Sequence, residues 1–179
     1  ATVDSYHVGS TRGPVFYVKN LQESDRLNTF IETHLKEMQK ITRTTSSHIS
    51  LTKTFSRGVG QYRYIRFIYD TKDAMGLNMV TFATDKVTHF IEEKTGITCL
   101  ALSGNYCVDK KPSWLNIIEG RGSKVWAEVE IPQKVLQKTL KTTALKMYDV
   151  WLSKCVMGSI MSGSMGYNAQ FANVLAAFF

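Results

Sequence analysis

The stretch Ile49–Tyr69, I-S-L-T-K-T-F-S-R-G-V-G-Q-Y-R-Y-I-R-F-I-Y, decides the fold. It contains two runs rich in β-branched and aromatic residues, Ile49–Phe55 and Gln61–Tyr69, joined through Ser56-Arg57-Gly58-Val59-Gly60. Such runs read as strands. In the second, Ile65, Phe67 and Tyr69 face one way and Tyr64 and Arg66 the other, because side chains alternate along a strand. Upstream, Leu27, Phe30, Ile31 and Met38 recur at helical spacing and predict an amphipathic helix from about Asp25 to Lys40, preceded by a strand at Pro14–Lys19. Downstream, a second helix begins near Asp73 and buries Met79, Phe82, Ala83, Phe90 and Ile91. Thr95-Gly96 ends it, since glycine takes the left-handed C-terminal position cheaply. Ile97–Leu102 is then a fourth, buried strand. The order β-α-β-β-α-β is the split βαβ, ferredoxin-like arrangement, and the fold class is α+β.

Around this small domain, residues 14–102, lie three other segments. Ala1–Gly13 is polar and glycine-punctuated and reads as a connecting arm. Residues 103–113 form a charged loop, and residues 114–179 read as part of a larger, mainly helical domain. Within that part Lys124–Ile131 alternates like a strand with one wet face. Pro132 suits the first turn of a helix that Val135, Leu136, Leu140, Leu145, Tyr148 and Trp151 carry to about Lys154. A last helix sets Gly158, Ser162, Gly166 and Ala169 at near-helical spacing. Small residues of that kind let another backbone approach closely.

The chain has 179 residues, 44% apolar and 21% charged, which is the composition of a soluble globular protein. Its net charge of +7 favours anionic partners without choosing among them. Cys99, Cys107 and Cys155 share no metal-ligand spacing, so the reading is reduced thiols in the cytoplasm and no metal. The apolar tail Val174–Phe179 is too short to span a bilayer. An anchor upstream of Ala1 is left open.

Two segments carry chemistry. Ser103–Pro112, S-G-N-Y-C-V-D-K-K-P, sets Asp109, Lys110 and Lys111 on a loop leaving a buried strand, a usual place for binding and catalytic groups. The plain alternative is a solvated turn. Asp73-Ala74-Met75-Gly76-Leu77-Asn78-Met79 opens a helix with an aspartate cap, a glycine and an asparagine. Unpaired N–H groups and the macrodipole there favour a phosphate. The plain alternative is an ordinary capped helix with core methionines.

With these two segments stand Thr11-Arg12-Gly13-Pro14, Ile118-Glu119-Gly120-Arg121-Gly122 and Gly163–Asn173, G-S-M-G-Y-N-A-Q-F-A-N. All five, in register over nearly the whole chain, resemble the catalytic region of class I, archaeal-like 3-hydroxy-3-methylglutaryl-coenzyme A (HMG-CoA) reductases. The resemblance implies that Asp73, Met75, Gly76 and Asn78 lie against a nicotinamide cofactor, NADPH. It also sets Ser46 and Ser47, within Thr44–His48, near the adenosine 2′-phosphate. Eukaryotic members carry arginine where Ser47 stands, so NADH remains an alternative cofactor. Lys110 is implied as the catalytic cation facing the thioester oxygen, with Asp109 setting the local charge and Lys111 holding the substrate carboxylate. Arg12, Ser103, Lys154, Gln170 and Asn173 match substrate-contacting positions, and Gln170 stands where the family commonly has histidine. The family builds its sites between subunits, so a homodimer or dimer of dimers is implied.

The implied activity is reduction of HMG-CoA to mevalonate and free coenzyme A, with HMG-CoA and NADPH as partners and no nucleic acid or membrane contact by this segment. The family's upstream glutamate segment, G-Q-D aspartate, G-G-G-T loop and C-terminal histidine have no match here. The chain is therefore expected to be an incomplete catalytic region, inactive alone. Two rivals come from other classes. A basic ferredoxin-like domain with Tyr62 and Tyr64 on a central strand resembles an RNA-binding module, although the glycine-aromatic signature is absent from Gln61–Tyr69. A non-catalytic assembly fragment of a reductase is the second.

Overall fold

The computed structural model describes residues 1–108, 111–169 and 171–179. Strand β4 (Tyr62–Asp70) is its centre. Along one edge β3 (Ser50–Val59) pairs antiparallel from Ser50 opposite Asp70 to Val59 opposite Tyr62, with a register shift between Leu51 and Lys53. Two strands share the other edge end to end. β1 (Thr2–Arg12) sets Arg12 opposite Phe67, and β2 (Val15–Tyr17) sets Val15 opposite Tyr64. The junction between them is Gly13-Pro14, and a Cβ on Gly13 would lie 2.4 Å from the Cys107 nitrogen. Only glycine allows that approach. β5 (Cys99–Ala101) pairs antiparallel with β2, and β6 (Gly122–Glu128) follows β1 in the sheet.

Thr2–Arg12 was expected only as a polar arm, and it is an eleven-residue strand. Pairing with β4 at Ser10–Arg12 and with β6 on its other side, not its own composition, makes it one; β-propensity depends on such neighbours. The two predicted central strands are present, each starting one residue later than expected and ending later, at Val59 and Asp70.

Helices cover the face of the sheet that carries Ile65, Phe67 and Tyr69, all fully buried. α1 (Leu21–Thr33) starts at Asn20, whose side chain accepts from the Glu23 N–H at 2.9 Å, while Glu23 accepts from the Lys19 N–H at 2.7 Å. This exchange satisfies two end donors at once. α2 (Leu35–Thr45) follows after a break at His34, where one continuous helix was expected. The His34 ring stacks on Phe30 at 4.0 Å. α3 (Leu77–Thr95) ends at Gly96, whose φ is 70° and whose N–H returns to the Glu92 carbonyl at 2.8 Å. The core joins Phe16, Leu27, Ile31 and Met38 to Val80, Ala83, Val87 and Ile91. Burying each such large side chain contributes about 1.5–3 kcal/mol. Phe82, expected inside, is 52% exposed with the Lys86 ammonium 5.6 Å over its ring.

The chain divides into two compact units, Ser5–Lys111 with Leu115–Val125, and Ala1–Asp4 with Pro112–Trp114 and Trp126–Phe179. The short helix α4 (Trp114–Ile118) begins at their sequence boundary. In the second unit α5 (Gln133–Lys138) follows Pro132, and α6 (Ala144–Val150) is capped by Thr143, whose hydroxyl accepts from the Lys146 N–H at 3.3 Å. The expected single helix from Pro132 to Lys154 is therefore broken. Lys141 takes φ 51°, and the Thr142 N–H closes onto the Leu136 carbonyl at 2.9 Å. A π-helical segment, Trp151–Gly158, leads into α7 (Ser159–Met161). The expected small-residue helix stops there, because Gly163 turns left-handed at φ 65°. Ser162, Gly166 and Ala169 lie outside any helix, and α8 (Ala172–Phe178) resumes beyond them.

Candidate functional site

The polypeptide between β4 and α3 is a tight turn held by its own side chains. The Asp70 carboxylate accepts from the Lys72 N–H at 2.9 Å and from Lys72 Nζ at 2.7 Å. These bonds, led by the Lys72 side chain, hold the Asp70 carboxyl below its ordinary range. Thr71 Oγ1 donates to the Ala74 carbonyl at 2.6 Å. Gly76 closes the turn with φ 68° and ψ 17°, and α3 begins at Leu77 with no side-chain cap. The helix thus starts four residues later than its acidic flank suggested. Asp73 lies exposed in the preceding turn and caps nothing. The donors of the first turn of α3, a 19-residue helix, are left for water or an anion.

Neighbouring elements converge on this turn. Ser10, on β1, donates from Oγ to the Met75 carbonyl at 2.8 Å, and Met75 itself is 73% exposed. Two residues on, and so on the same side of β1, Arg12 donates from Nη2 to Thr81 Oγ1, which donates in turn to the Leu77 carbonyl at 2.8 Å. Arg12 Nε is buried with no acceptor among the described residues. From the end of α2, Ser46 Oγ reaches Met79 Sδ at 3.8 Å and accepts from the His48 N–H at 3.1 Å. The segments 44–48 and 73–79, some thirty residues apart, therefore meet. Asn78 and Ser47 lie beside them, both exposed, while Ser46 is half-buried.

Ser103 starts the loop after β5. Its hydroxyl lies 3.5 Å from Cys107 Sγ, and the adjacent Gly104 N–H donates to the Gly13 carbonyl at 2.7 Å. Thr11 Oγ1 anchors the same loop through the Cys107 carbonyl at 2.9 Å. Lys111 is exposed and donates to Asn105 Oδ1 at 3.0 Å. Asp109, Lys110 and Gln170 lie outside the described residues. Lys154, in the π-helical segment, and Asn173, on α8, are exposed on the second unit. Ser10 and Thr81 were not foreseen. Strand alternation with Arg12 could have pointed to the first, and helical spacing from Leu77 to the second. Among the described residues no cluster of His, Cys, Asp or Glu could hold a metal ion, and no helix is long and apolar enough to cross a membrane.

All of residues 1–179 match hydroxymethylglutaryl-coenzyme A reductase, and the chain belongs to that family. It is 40% identical over 179 residues to the 3-hydroxy-3-methylglutaryl-coenzyme A reductase of Haloferax volcanii, covering 100% of this chain and 44% of that protein. The same-named protein of Methanothermobacter thermautotrophicus is 39% identical over 180 residues, with 45% of its length covered. The chain thus spans less than half the length of these relatives. A solved class II reductase from Streptococcus pneumoniae, bound to NADPH in open conformations, aligns at TM-score 0.47 and 16% identity, covering 55% of this chain and 28% of that one.

Proposed function

We propose that this chain is the cofactor-binding part, with a portion of the substrate-binding part, of a reductase that converts HMG-CoA to mevalonate. The observation that carries the reading is the match of the whole chain to the reductase family. The local geometry supports it: the 73–79 turn, Ser46 and Arg12 converge where the resemblance needs a cofactor beside a substrate. The strand order β5-β2-β4-β3 supports a ferredoxin-like small domain over residues 14–102. Residues 103–113 are then the active-site loop and 114–179 part of the larger domain. The protein is cytoplasmic and assembles as a homodimer or dimer of dimers.

The first-turn N–H groups of α3, left without a side-chain cap, fit the phosphates of a dinucleotide. Asp73, Met75, Gly76 and Asn78 bind the cofactor at that turn, and Ser46 and Ser47 bind its adenosine end. NADPH supplies the hydride when bound, and the reaction takes two hydrides and two protons to reach mevalonate and free coenzyme A. Arg12, Ser103, Lys111, Lys154, Gln170 and Asn173 hold the HMG portion. Lys110 faces the thioester oxygen, where charge grows as the carbonyl becomes tetrahedral, first to the thiohemiacetal and then from mevaldehyde to the alcohol. A fixed cation there stabilises the transition state more than the bound substrate. Asp109 sets the charge beside it.

The test is steady-state kinetics of the complete enzyme carrying Lys110→Ala. Turnover should fall by about a hundredfold or more with a modest change in KM. Near-normal kcat with a large rise in KM would make Lys110 a carboxylate anchor and remove it from the chemistry.

A further inference from the structure

Strand alternation sends Arg66 away from the Arg12 side of the sheet, since Arg12 stands opposite Phe67, the next residue along β4. On that other face Arg66 is completely buried. Its Nη2 donates to the Gly120 carbonyl at 3.0 Å and to Asn116 Oδ1 at 3.3 Å. Its Nε and Nη1 are buried with no acceptor among the described residues. A guanidinium stays charged in proteins, so donors left unpaired in the interior are a standing cost. The acid beside it, Glu119, makes no ion pair with Arg66 among the described residues and is itself exposed.

Arg66 forms part of the wall of a cleft of about 260 Å³, together with Arg57, Tyr106, Leu115, Glu32 and Glu119. Phe55 pairs with Arg66 and Arg57 with Tyr64, so the two arginines are diagonal neighbours on one face of the β3–β4 ladder. Two guanidinium groups therefore line one polar recess, and one of them has buried N–H groups lacking partners.

We infer that this cleft binds the oxyanion of a small ligand, a phosphate or a carboxylate group, with Arg66 and Arg57 as its donors. Arg66 is closed from solvent in this structure, so the oxyanion reaches it by parting the side chains that cover it, and there supplies the acceptors that Arg66 lacks through charge-assisted hydrogen bonds. Arg57, at the exposed edge, draws the anion in. Glu119 competes with it for the same cations. The site lies on the sheet face opposite Arg12 and does not depend on the reductase reading.

The experiment titrates the 179-residue chain with inorganic phosphate and, separately, with acetate. Sodium chloride at matched ionic strength is the control. Thermal unfolding and the Arg66 Nε–H resonance are both followed. At phosphate ten times its dissociation constant the folded-to-unfolded ratio rises about elevenfold, and the Nε–H signal shifts saturably. Arg57→Gln and Arg66→Lys each weaken binding by about tenfold or more. Glu119→Gln strengthens it several-fold, about the effect of removing one nearby charge. Tighter phosphate than acetate assigns a phosphate ligand, and the reverse assigns a carboxylate. Should Arg66→Lys fail to fold, the exposed Arg57→Gln and Glu119→Gln still decide. Stabilisation by chloride equal to that by either oxyanion, or binding unchanged in both exposed variants, overturns the inference.

Discussion

Gly76→Ala attacks the turn that sets the start of α3, and the structure gives its cost in two parts. The first is conformational: φ 68° and ψ 17° place Gly76 in the left-handed region, which costs an ordinary residue about 1–2 kcal/mol. The second is steric. A Cβ here would lie 2.7 Å from Thr71 Cγ2 and 2.8 Å from Thr71 Cβ, and forced contact in a packed site costs about 1–3 kcal/mol. Their sum is a destabilisation of about 2–5 kcal/mol. Gly96→Ala is the internal comparison. Gly96 has nearly the same dihedrals, φ 70° and ψ 12°, but a Cβ added there would meet nothing within 4 Å. It should lose only the conformational part, about 1–2 kcal/mol. Urea unfolding of both variants gives the difference directly, provided m is unchanged. Thr71→Ser deletes the offending methyl while keeping the hydroxyl that donates to Ala74, so the cycle with Gly76→Ala should show a coupling of about 1 kcal/mol. Equal losses at Gly76 and Gly96, with no coupling to Thr71, would refute the steric argument and the turn geometry with it.

Two further effects follow from buried polar groups. Burial, opposed by a 2.9 Å hydrogen bond to Thr84, pushes the Tyr69 hydroxyl well above its ordinary pKa. Above about pH 10 the unfolded chain releases that proton and the folded one does not, so stability is full below pH 10 and falls by about 1.4 kcal/mol per unit above it. Tyr69→Phe should lose about 0.5–1.5 kcal/mol at neutral pH and flatten the alkaline limb by one proton, read from stability measured against pH. Arg63 ties β4 to α1 and β3, donating to Ser24 Oγ at 3.0 Å, to Ser56 Oγ at 2.6 Å and to Asn28 Oδ1. Arg63→Met leaves those acceptors facing an apolar chain, and urea unfolding should show a loss of about 2–4 kcal/mol.

The period-two pattern of Ile49–Tyr69 and the glycine at position 96 were legible because each signal is local. What was not legible is owed to partners far along the chain. Asp4, Ser5, His7 and Ser10 make Thr2–Arg12 look like a polar arm, and only pairing with β4 and β6, both distant in sequence, makes it a strand. The helix breaks at His34 and at Lys141 involve neither glycine nor proline, so no breaker marked them. Asp73 resembled a helix cap, but the Thr71 and Lys72 bonds spend those residues on a turn and leave Gly76 to start the helix. For the site, Arg12 and Ser103 stood out only through the family resemblance. Ser10 and Thr81, which hold the turn and Arg12, belong to residue types too common to be noticed alone. The buried face of Arg66 gave no sign in the sequence, since alternation says which way a side chain points but not whether acceptors await it.

The most direct test of the account is to titrate the 179-residue chain with NADPH and map the backbone amide shifts residue by residue. The account predicts saturable shifts concentrated at Leu77, Asn78 and Met79 and at Ser46–His48, weakened when Asp73→Ala or Ser46→Ala is introduced. No saturable shift at all, or shifts confined to the opposite sheet face around Arg57 and Arg66, would contradict it.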